Sequence, residues 1–185
     1  MKLFPILLSI AGLIILAGAM LVAFAPTQIL TSTTLRINAN KDVVIQKISN
    51  FSEFQDWSPW KKKDPQQVNY IKGVNGTLGS QFHWDGVAEK GQGYMELVEA
   101  NENSIAVDCH ILTPFESQSH FKYTVKEIGS QSEVEVAFSM PAARPFNAIA
   151  LVIGLKKEIS TVNDELLANL KTVVEKQAFQ EAIKH

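Results

Sequence analysis

Apolar residues follow three different spacings along the chain, and each spacing predicts a different kind of element. Residues 3–25 carry no charge and form an almost continuous apolar run. As a helix rising about 1.5 Å per residue, such a run crosses the roughly 30 Å hydrocarbon core of a bilayer. From residue 33 to residue 140 the apolar positions mostly alternate with polar ones, as in half-buried strands. From residue 159 onward they return to helical spacing.

These changes of spacing divide the chain into three parts. They are a membrane-spanning anchor at 1–25, a linker at 26–32 and a folded domain at 33–180. The domain is expected to begin with a strand, Thr33–Ala39, followed by a helix that starts after Asn40. The segment FSEFQDW, from Phe51 to Trp57, contains no Pro or Gly and is expected to form a second short helix.

Short polar turns separate the strands that follow. Four to five antiparallel strands are expected between Gly79 and Met140, with one apolar and one polar face. The last helix carries an apolar stripe formed by Ile159, Val162, Leu166, Leu170, Val173 and Val174. Because the apolar face of the strands is the available partner for this stripe, the pattern predicts an α+β fold. In that fold a curved antiparallel sheet closes over one long C-terminal helix.

The N-terminal apolar segment has a second interpretation, a cleaved secretory signal, since Ala23-Phe24-Ala25 has the A-x-A form. Against cleavage, the apolar run is longer than a usual signal core, Lys2 alone supplies the basic region, and Pro26 follows the cut. We therefore favour a retained single-pass helix. The nearest charges, Lys2 on one side and Arg36 and Lys41 on the other, weakly favour a cytoplasmic N-terminus with the domain outside.

Composition and motifs exclude several classes of function. The 17 Lys/Arg and 19 Asp/Glu give a net charge of -2, without the concentrated basic face that nucleic-acid binding requires. Cys109 is the only cysteine, so the chain cannot form an internal disulfide or a cysteine-based metal cluster. HExxH, GxSxG and Gly-rich phosphate-loop motifs are missing from the sequence. We expect no catalytic residue, no metal and no cofactor.

The order of elements resembles the START-like, helix-grip polyketide cyclase family (SRPBCC superfamily). The stretch FSEFQDWSPWKKKDP is its most specific part, and strands containing GSQFHWDG and TPFESQSHFKYTV and a helix containing ELLANLKTVVE follow in order. The resemblance covers roughly Thr33–Glu175 and includes members that begin with one membrane-spanning helix. It implies a deep hydrophobic cavity between sheet and long helix, in which relatives hold lipids, sterols, polyketides or other apolar molecules. It implies no common catalytic residue.

One phase of the strands is expected to line such a cavity. His83, His110 and His120 share the opposite, polar phase and should point outward, which argues against a histidine-based acid, base or metal site. Trp57 and Trp60 have two interpretations, contact with a ligand at the cavity rim or a structural plug at the end of the sheet. The candidate ligand-binding residues are Trp57, Trp60, Phe82, Trp84, Val107, Cys109, Phe121, Tyr123, Val136 and Phe138.

Two of these candidates carry polar atoms with different expected roles. Cys109 lies in the apolar phase and should be an unreactive thiol with a raised pKa. Tyr123 is the inward polar group to test first if the domain is an enzyme.

The predicted function is a membrane-anchored module that binds a hydrophobic small molecule or a lipid. The alternatives are a cyclase- or dehydratase-like enzyme with an apolar substrate, and a ligand-free scaffold. An enclosed cavity with two or more inward polar groups in hydrogen-bond reach would favour the enzyme. A wholly apolar void would favour binding, and the lack of a void would favour the scaffold. Residues 146–155 form an apolar run that is either buried core or a lid touching the membrane interface.

Overall fold

The computed structural model describes residues 3–86 and 91–183, and within them it contains a seven-stranded antiparallel sheet and six α-helices. The helices are α1 (Leu3–Phe24), α2 (Lys41–Ser49), α3 (Phe54–Trp57), α4 (Trp60–Lys63), α5 (Phe146–Val152) and α6 (Leu155–Ile183). The strands are β1 (Gln28–Ile37), β2 (Val68–Lys72), β3 (Gln81–Asp85), β4 (Gln92–Ala100), β5 (Ser104–Ile111), β6 (Ser117–Ile128) and β7 (Gln131–Pro141). A 3-10 turn at Phe51–Glu53 leads directly into α3.

The strand order is β1-β7-β6-β5-β4-β3-β2, so six consecutive strands form a meander and β1 pairs with the last of them. The prediction of four to five strands missed β2, because most of its residues are exposed and its sequence lacks a clear alternation. β1 begins at Gln28, inside the segment predicted to be a linker. The reason is that Gln28–Ser32 form ladder pairs with Ala137–Pro141, which leaves residues 25–27 between α1 and the sheet.

The long helix α6 covers one face of the sheet, which we call the inner face. Its apolar stripe is almost completely buried at Leu166, Leu167, Leu170 and Val174. Three hydrogen bonds fix α6 along β1, joining Asn163 to Thr31, Asp164 to Thr33 and Lys171 to the Arg36 carbonyl. The predicted α+β architecture, a curved antiparallel sheet closed over a long C-terminal helix, is confirmed.

The aromatic side chains of FSEFQDW pack into the space between α6 and the sheet. Phe51, Phe54 and Trp57 are spaced by three residues, so a helical backbone places them on one side, and all three are buried. Phe54 meets Trp57 edge-on with ring centroids 4.9 Å apart, and its ring lies 5.3 Å from that of Phe82 on β3. These rings join the 3-10 turn and α3 to the sheet as one apolar cluster.

The C-terminal end of α1 is tied to the start of α5 by side-chain hydrogen bonds. Arg144 donates from Nε to the Val22 carbonyl at 3.1 Å and from Nη2 to the Ala23 carbonyl at 3.0 Å. Asn147, which is 1% exposed, donates from Nδ2 to the carbonyls of Val22 at 3.0 Å and Ala25 at 2.9 Å. Because the last carbonyls of a helix have no partner within that helix, these contacts cap α1 from a distant part of the chain.

Among the described residues, α1 is the one helix long and apolar enough to cross a membrane. A secretory signal sequence can meet the same criteria of length and apolar composition, so the choice between the two depends on what α1 contacts.

The apolar segment that the sequence left as either core or lid forms α5 and the turn after it. Ala148 and Ala150 are buried against the domain, whereas Ile149, Leu151 and Val152 are more than half exposed. These three large side chains therefore lie outside the core, whereas Leu155 at the start of α6 packs against it. Contact of these side chains with a membrane stays a prediction.

Replacing Leu170 by Ala should lower the free energy of unfolding by about 2–5 kcal/mol, because the change leaves a cavity beneath α6. The matched control is the same substitution at Leu78, which is 62% exposed and should change stability by less than about 0.5 kcal/mol. Chemical denaturation of the full chain in detergent, followed by circular dichroism, measures both variants. Equal effects at the two positions would contradict the packing of α6 on the inner face.

Candidate ligand-binding face

The inner face carries one phase of the strand residues, as the alternation predicted. Residues opposite each other in an antiparallel ladder share a face. One such row runs Phe82, Met95, Cys109 and Ser119, and the next runs Leu97, Val107, Phe121 and Phe138. The inner face therefore includes eight of the candidate residues: Phe82, Trp84, Val107, Cys109, Phe121, Tyr123, Val136 and Phe138. Their contact with a ligand stays a prediction.

Burial along the inner face decreases from one end of the sheet to the other. On β5, Ile105 and Val107 are buried, Cys109 is half-buried and Ile111 is 38% exposed. The same trend holds on β7, from buried Val136 to half-buried Met140, and on β3, from buried Phe82 to half-buried Trp84. The apolar surface is therefore sealed at one end and partly accessible at the other.

We call the accessible end, with Trp84, Cys109, Ile111 and Met140, the open end. It is the end of the sheet nearest α1, because β1 starts and β7 finishes there. The opposite, closed end is covered by α2, the 3-10 turn and α3.

Trp84 lies against the backbone of β4 at the open end. Its ladder partner is Gly93, and a Cβ at that position would lie 2.4 Å from Trp84 Cζ2 and 2.3 Å from the His110 carbonyl oxygen. Glycine therefore lets the indole approach the strand closely, which spreads a flat apolar ring across the open end.

Polar atoms on the inner face are held in their neutral forms. Burial raises the pKa of the Cys109 thiol to about 11, against a smaller opposing effect of its hydrogen bond with Ser119. Burial also raises the pKa of the Tyr123 hydroxyl well above its ordinary value. A thiol or phenol of this kind can form hydrogen bonds with a ligand but supplies no anionic nucleophile or base near neutral pH.

The two tryptophans of the opening aromatic motif occupy different environments. Trp57 is 2% exposed, meets Tyr123 edge-on at 6.5 Å, and its Nε1 has no hydrogen-bond partner within the described residues. Trp60 is 39% exposed and lies outside the buried cluster. The structure therefore gives Trp57 a packing role and does not bring Trp60 to the inner face.

The histidines point away from the inner face and take part in an arrangement that the sequence analysis missed. Tyr70, His83, Tyr94 and His110 are ladder partners on β2 to β5, and their rings stack with centroids 4.5–5.2 Å apart. The sequence signal for this stack was the presence of a tyrosine or a histidine in the polar phase of each of these consecutive strands. His120 Nδ1 lies 2.6 Å from Asp108 Oδ1 on the same outer face. The described residues contain no group of three or more metal-binding side chains.

The deep cavity implied by the family resemblance is largely occupied by the chain itself. Aromatic side chains fill much of the space beside the inner face: Phe51, Phe54, Trp57, Phe82 and Tyr123. A crevice of about 320 Å³ lies between α1 and α5, and another of about 580 Å³ lies between β1 and the α5–α6 junction. None of the candidate residues lines either crevice, and neither do Ile111 and Met140 at the open end.

No protein-family model and no curated protein matches the sequence. Solved structures do match it. Thalictrum flavum norcoclaurine synthase is similar at 12% identity over 82% of this chain and 96% of that one, with a TM-score of 0.61. Ara h 8.0201 is similar at 10% identity over 80% and 97%, with a TM-score of 0.56. CalU16 from Micromonospora echinospora is similar at 12% identity over 78% and 73%, with a TM-score of 0.53.

The chain has the Bet v1/START-like helix-grip fold. At these identities the likeness describes the helix-grip backbone and not the chemistry of its inner face. The fold prediction is thereby confirmed, whereas the ten candidate binding residues stay predictions.

The reactivity of the Cys109 thiol can be used to test whether this residue lies on the inner face. Raising the thiol pKa from 9.0 to about 11 lowers the thiolate fraction at pH 8 by about 100-fold, so a polar maleimide should label native Cys109 far more slowly than the urea-unfolded chain. The native labelling rate should keep rising with pH up to about 11. A cysteine at exposed Val74, in a Cys109→Ser background, is the control and should react equally in both states. Equal rates for native and unfolded Cys109 would place the thiol on the outer face.

Proposed function

We propose that the chain is a membrane-anchored module that binds a hydrophobic small molecule or a lipid at the open end of its inner face. The observation that carries the proposal is the gradient of burial on that face. On β3, β5 and β7 the inward apolar side chains become half-buried or exposed toward the open end, beside the anchor helix, reaching 38% exposure at Ile111. A ligand that covers this apolar surface gains about 25 cal/mol of binding free energy for each Å² removed from water.

The environment of the open end supports binding more than catalysis. Cys109 and its neighbour Ser119 offer hydrogen-bonding atoms, but the thiol stays protonated near neutral pH. Affinity would therefore come from apolar burial, and selectivity from a small number of hydrogen bonds. Norcoclaurine synthase, which has the same fold, was solved in complex with a transition-state analogue, so this backbone can hold a small molecule.

The contacts of α1 support a retained anchor over a cleaved signal. Cleavage after Ala25 would remove all three carbonyls that Arg144 and Asn147 bind, and would leave the buried Asn147 amide without these acceptors. A buried donor that loses its acceptor costs about 1–3 kcal/mol. The charges of Lys2 and of the domain favour a cytoplasmic N-terminus with the domain outside.

A ligand-free scaffold is the second candidate function, because the closed end is filled by the aromatic side chains of the domain itself. Such a domain would use the helix-grip fold for stability, and its open end would hold no ligand.

Native mass spectrometry of the detergent-purified full chain should detect a co-purified lipid or apolar metabolite. Met140→Trp should reduce its occupancy, because a bulky ring would fill the open end. The matched control is Ala137→Trp, which places the same ring at an exposed position of β7 and should leave occupancy unchanged. Melting curves of both variants establish that they are folded. Absence of any bound mass, with equal behaviour of both variants, would favour the scaffold.

Retention of α1 is tested by the intact mass of the protein extracted from membranes. We expect a mass that includes residues 3–24. A mass corresponding to a chain that begins at Pro26 or later would contradict the proposal that α1 is a retained anchor. Asn147→Ala should cost about 1–3 kcal/mol of stability in the retained form, because it removes the hydrogen bonds to the Val22 and Ala25 carbonyls and leaves the Ala25 carbonyl without this donor. Asn69→Ala, at an exposed position of β2, is the control and should be nearly neutral.

A further inference from the structure

The contact between α5 and α1 fixes the depth of α5 in any membrane that α1 crosses. A crevice of about 320 Å³ joins Gly18, Leu21 and Val22 of α1 to Pro145, Ala148, Ile149, Val152 and Ile153. Gly18 lies about 9 Å along the helix axis before Phe24, the last residue of α1. α5 therefore packs beside the final turns of the apolar run and not beyond its end.

The exposed side of α5 has the chemistry of a segment in contact with lipid. The segment from Phe146 to Leu155 contains no charged residue, and Val152 and Ile153 are 72% and 55% exposed. Lys156 and Lys157 follow directly. Ammonium groups on long side chains can remain at headgroup level while the preceding apolar side chains enter the hydrocarbon.

The β5–β6 loop brings a second apolar projection to the same level of the domain. Phe115 is 83% exposed. The ladder register aligns His120, Ser139 and Leu30 in one row across β6, β7 and β1. Phe115 lies five residues beyond this row, and so does Ala25 after the last residue of α1. Neighbouring strands lie about 4.8 Å apart, and β7 separates β6 from β1. The loop before β6 therefore starts roughly 10 Å to the side of Ala25.

The connection between anchor and sheet keeps the domain at this level. The connection consists of Ala25, Pro26 and Thr27, and Ala25 is buried. Asn147 binds the Ala25 carbonyl, and the Ala142 N–H donates to the Thr27 carbonyl over 2.8 Å. A connection this short, with both ends hydrogen-bonded to the domain, holds the open end against the surface that α1 enters.

We infer that this end of the domain is immersed in the same leaflet as the end of α1, so that the open end takes its ligand directly from the bilayer. The immersed surface, which we call the membrane-facing rim, consists of Leu112, Phe115, Phe146, Ile149, Leu151, Val152 and Ile153. The partner of the rim is a lipid bilayer, and the ligand class is a molecule dissolved in it. The inference rests on the proposed anchoring by α1.

Nitroxide labels can measure the depth of the rim in the full chain reconstituted into phosphatidylcholine vesicles. Single cysteines replace Phe115, Val152 and, as a reference within α1, Ile15, each in a Cys109→Ser background. Val74 is the matched control, because it is an apolar residue, 71% exposed, in the loop after β2 at the opposite end of the sheet. The relaxation effects of oxygen and of a water-soluble nickel chelate report immersion at each label.

We expect the oxygen-to-nickel ratio at residues 115 and 152 to rise severalfold above that at residue 74, toward the value at residue 15. Ratios at residues 115 and 152 equal to that at residue 74, with residue 15 immersed, would overturn the rim while leaving the anchor in place. A water-exposed residue 15 would overturn the anchoring itself. The mass-spectrometric search for a bound ligand is independent of both outcomes.

The double variant Ile149→Ser/Leu151→Ser separates immersion from core packing. Both side chains are more than half exposed, so the melting temperature in detergent should not change. In the variant chain reconstituted into vesicles, the label at residue 152 should lie closer to water than it does without the two substitutions. A large loss of thermal stability would instead assign the two side chains to the core and contradict the rim.

Discussion

The structure depends on the need to cover one apolar face of a seven-stranded sheet with a single long helix. Strands spaced about 4.8 Å apart make a sheet of this size roughly 30 Å wide, whereas a helix with its side chains is about 10 Å across. α6 therefore covers part of the inner face, along β1 and β7. The rest must be filled by other elements or remain accessible. Aromatic rings from the 3-10 turn and α3 fill the closed end, and within the described residues no comparable group covers Ile111 at the open end.

The distribution of polar groups follows from the same constraint. Side chains that the ladder directs outward can keep their contacts with water, so the histidines stack with tyrosines or pair with carboxylates on the outer face. Many of the side chains directed inward are apolar, and burial keeps the Cys109 thiol and the Tyr123 hydroxyl neutral. Near neutral pH these two groups therefore supply no anionic nucleophile for covalent chemistry.

The topology places the uncovered end of the sheet beside the helix that is apolar enough to cross a membrane. This placement has a local cause, because β1 follows α1 after three residues and the β7–α5 connection returns to cap α1 with Arg144 and Asn147. Exposed apolar side chains on α5 would be costly in water but are favoured at a bilayer interface. α1, the open end and α5 thus lie at the same end of the sheet.

The sequence by itself determined the phase of the strands, the amphipathic face of α6 and the apolar length of α1, because each depends on residues close together in the chain. It could not determine that Gln28–Ser32 pair with Ala137–Pro141, or that exposed β2 completes the sheet, since pairing depends on distant partners. The filling of the closed end and the capping of Ala25 by Asn147 were likewise decided by tertiary structure. Local periodicity indicates which side chains turn inward, but only the packing of elements far apart in sequence decides which of them stay uncovered.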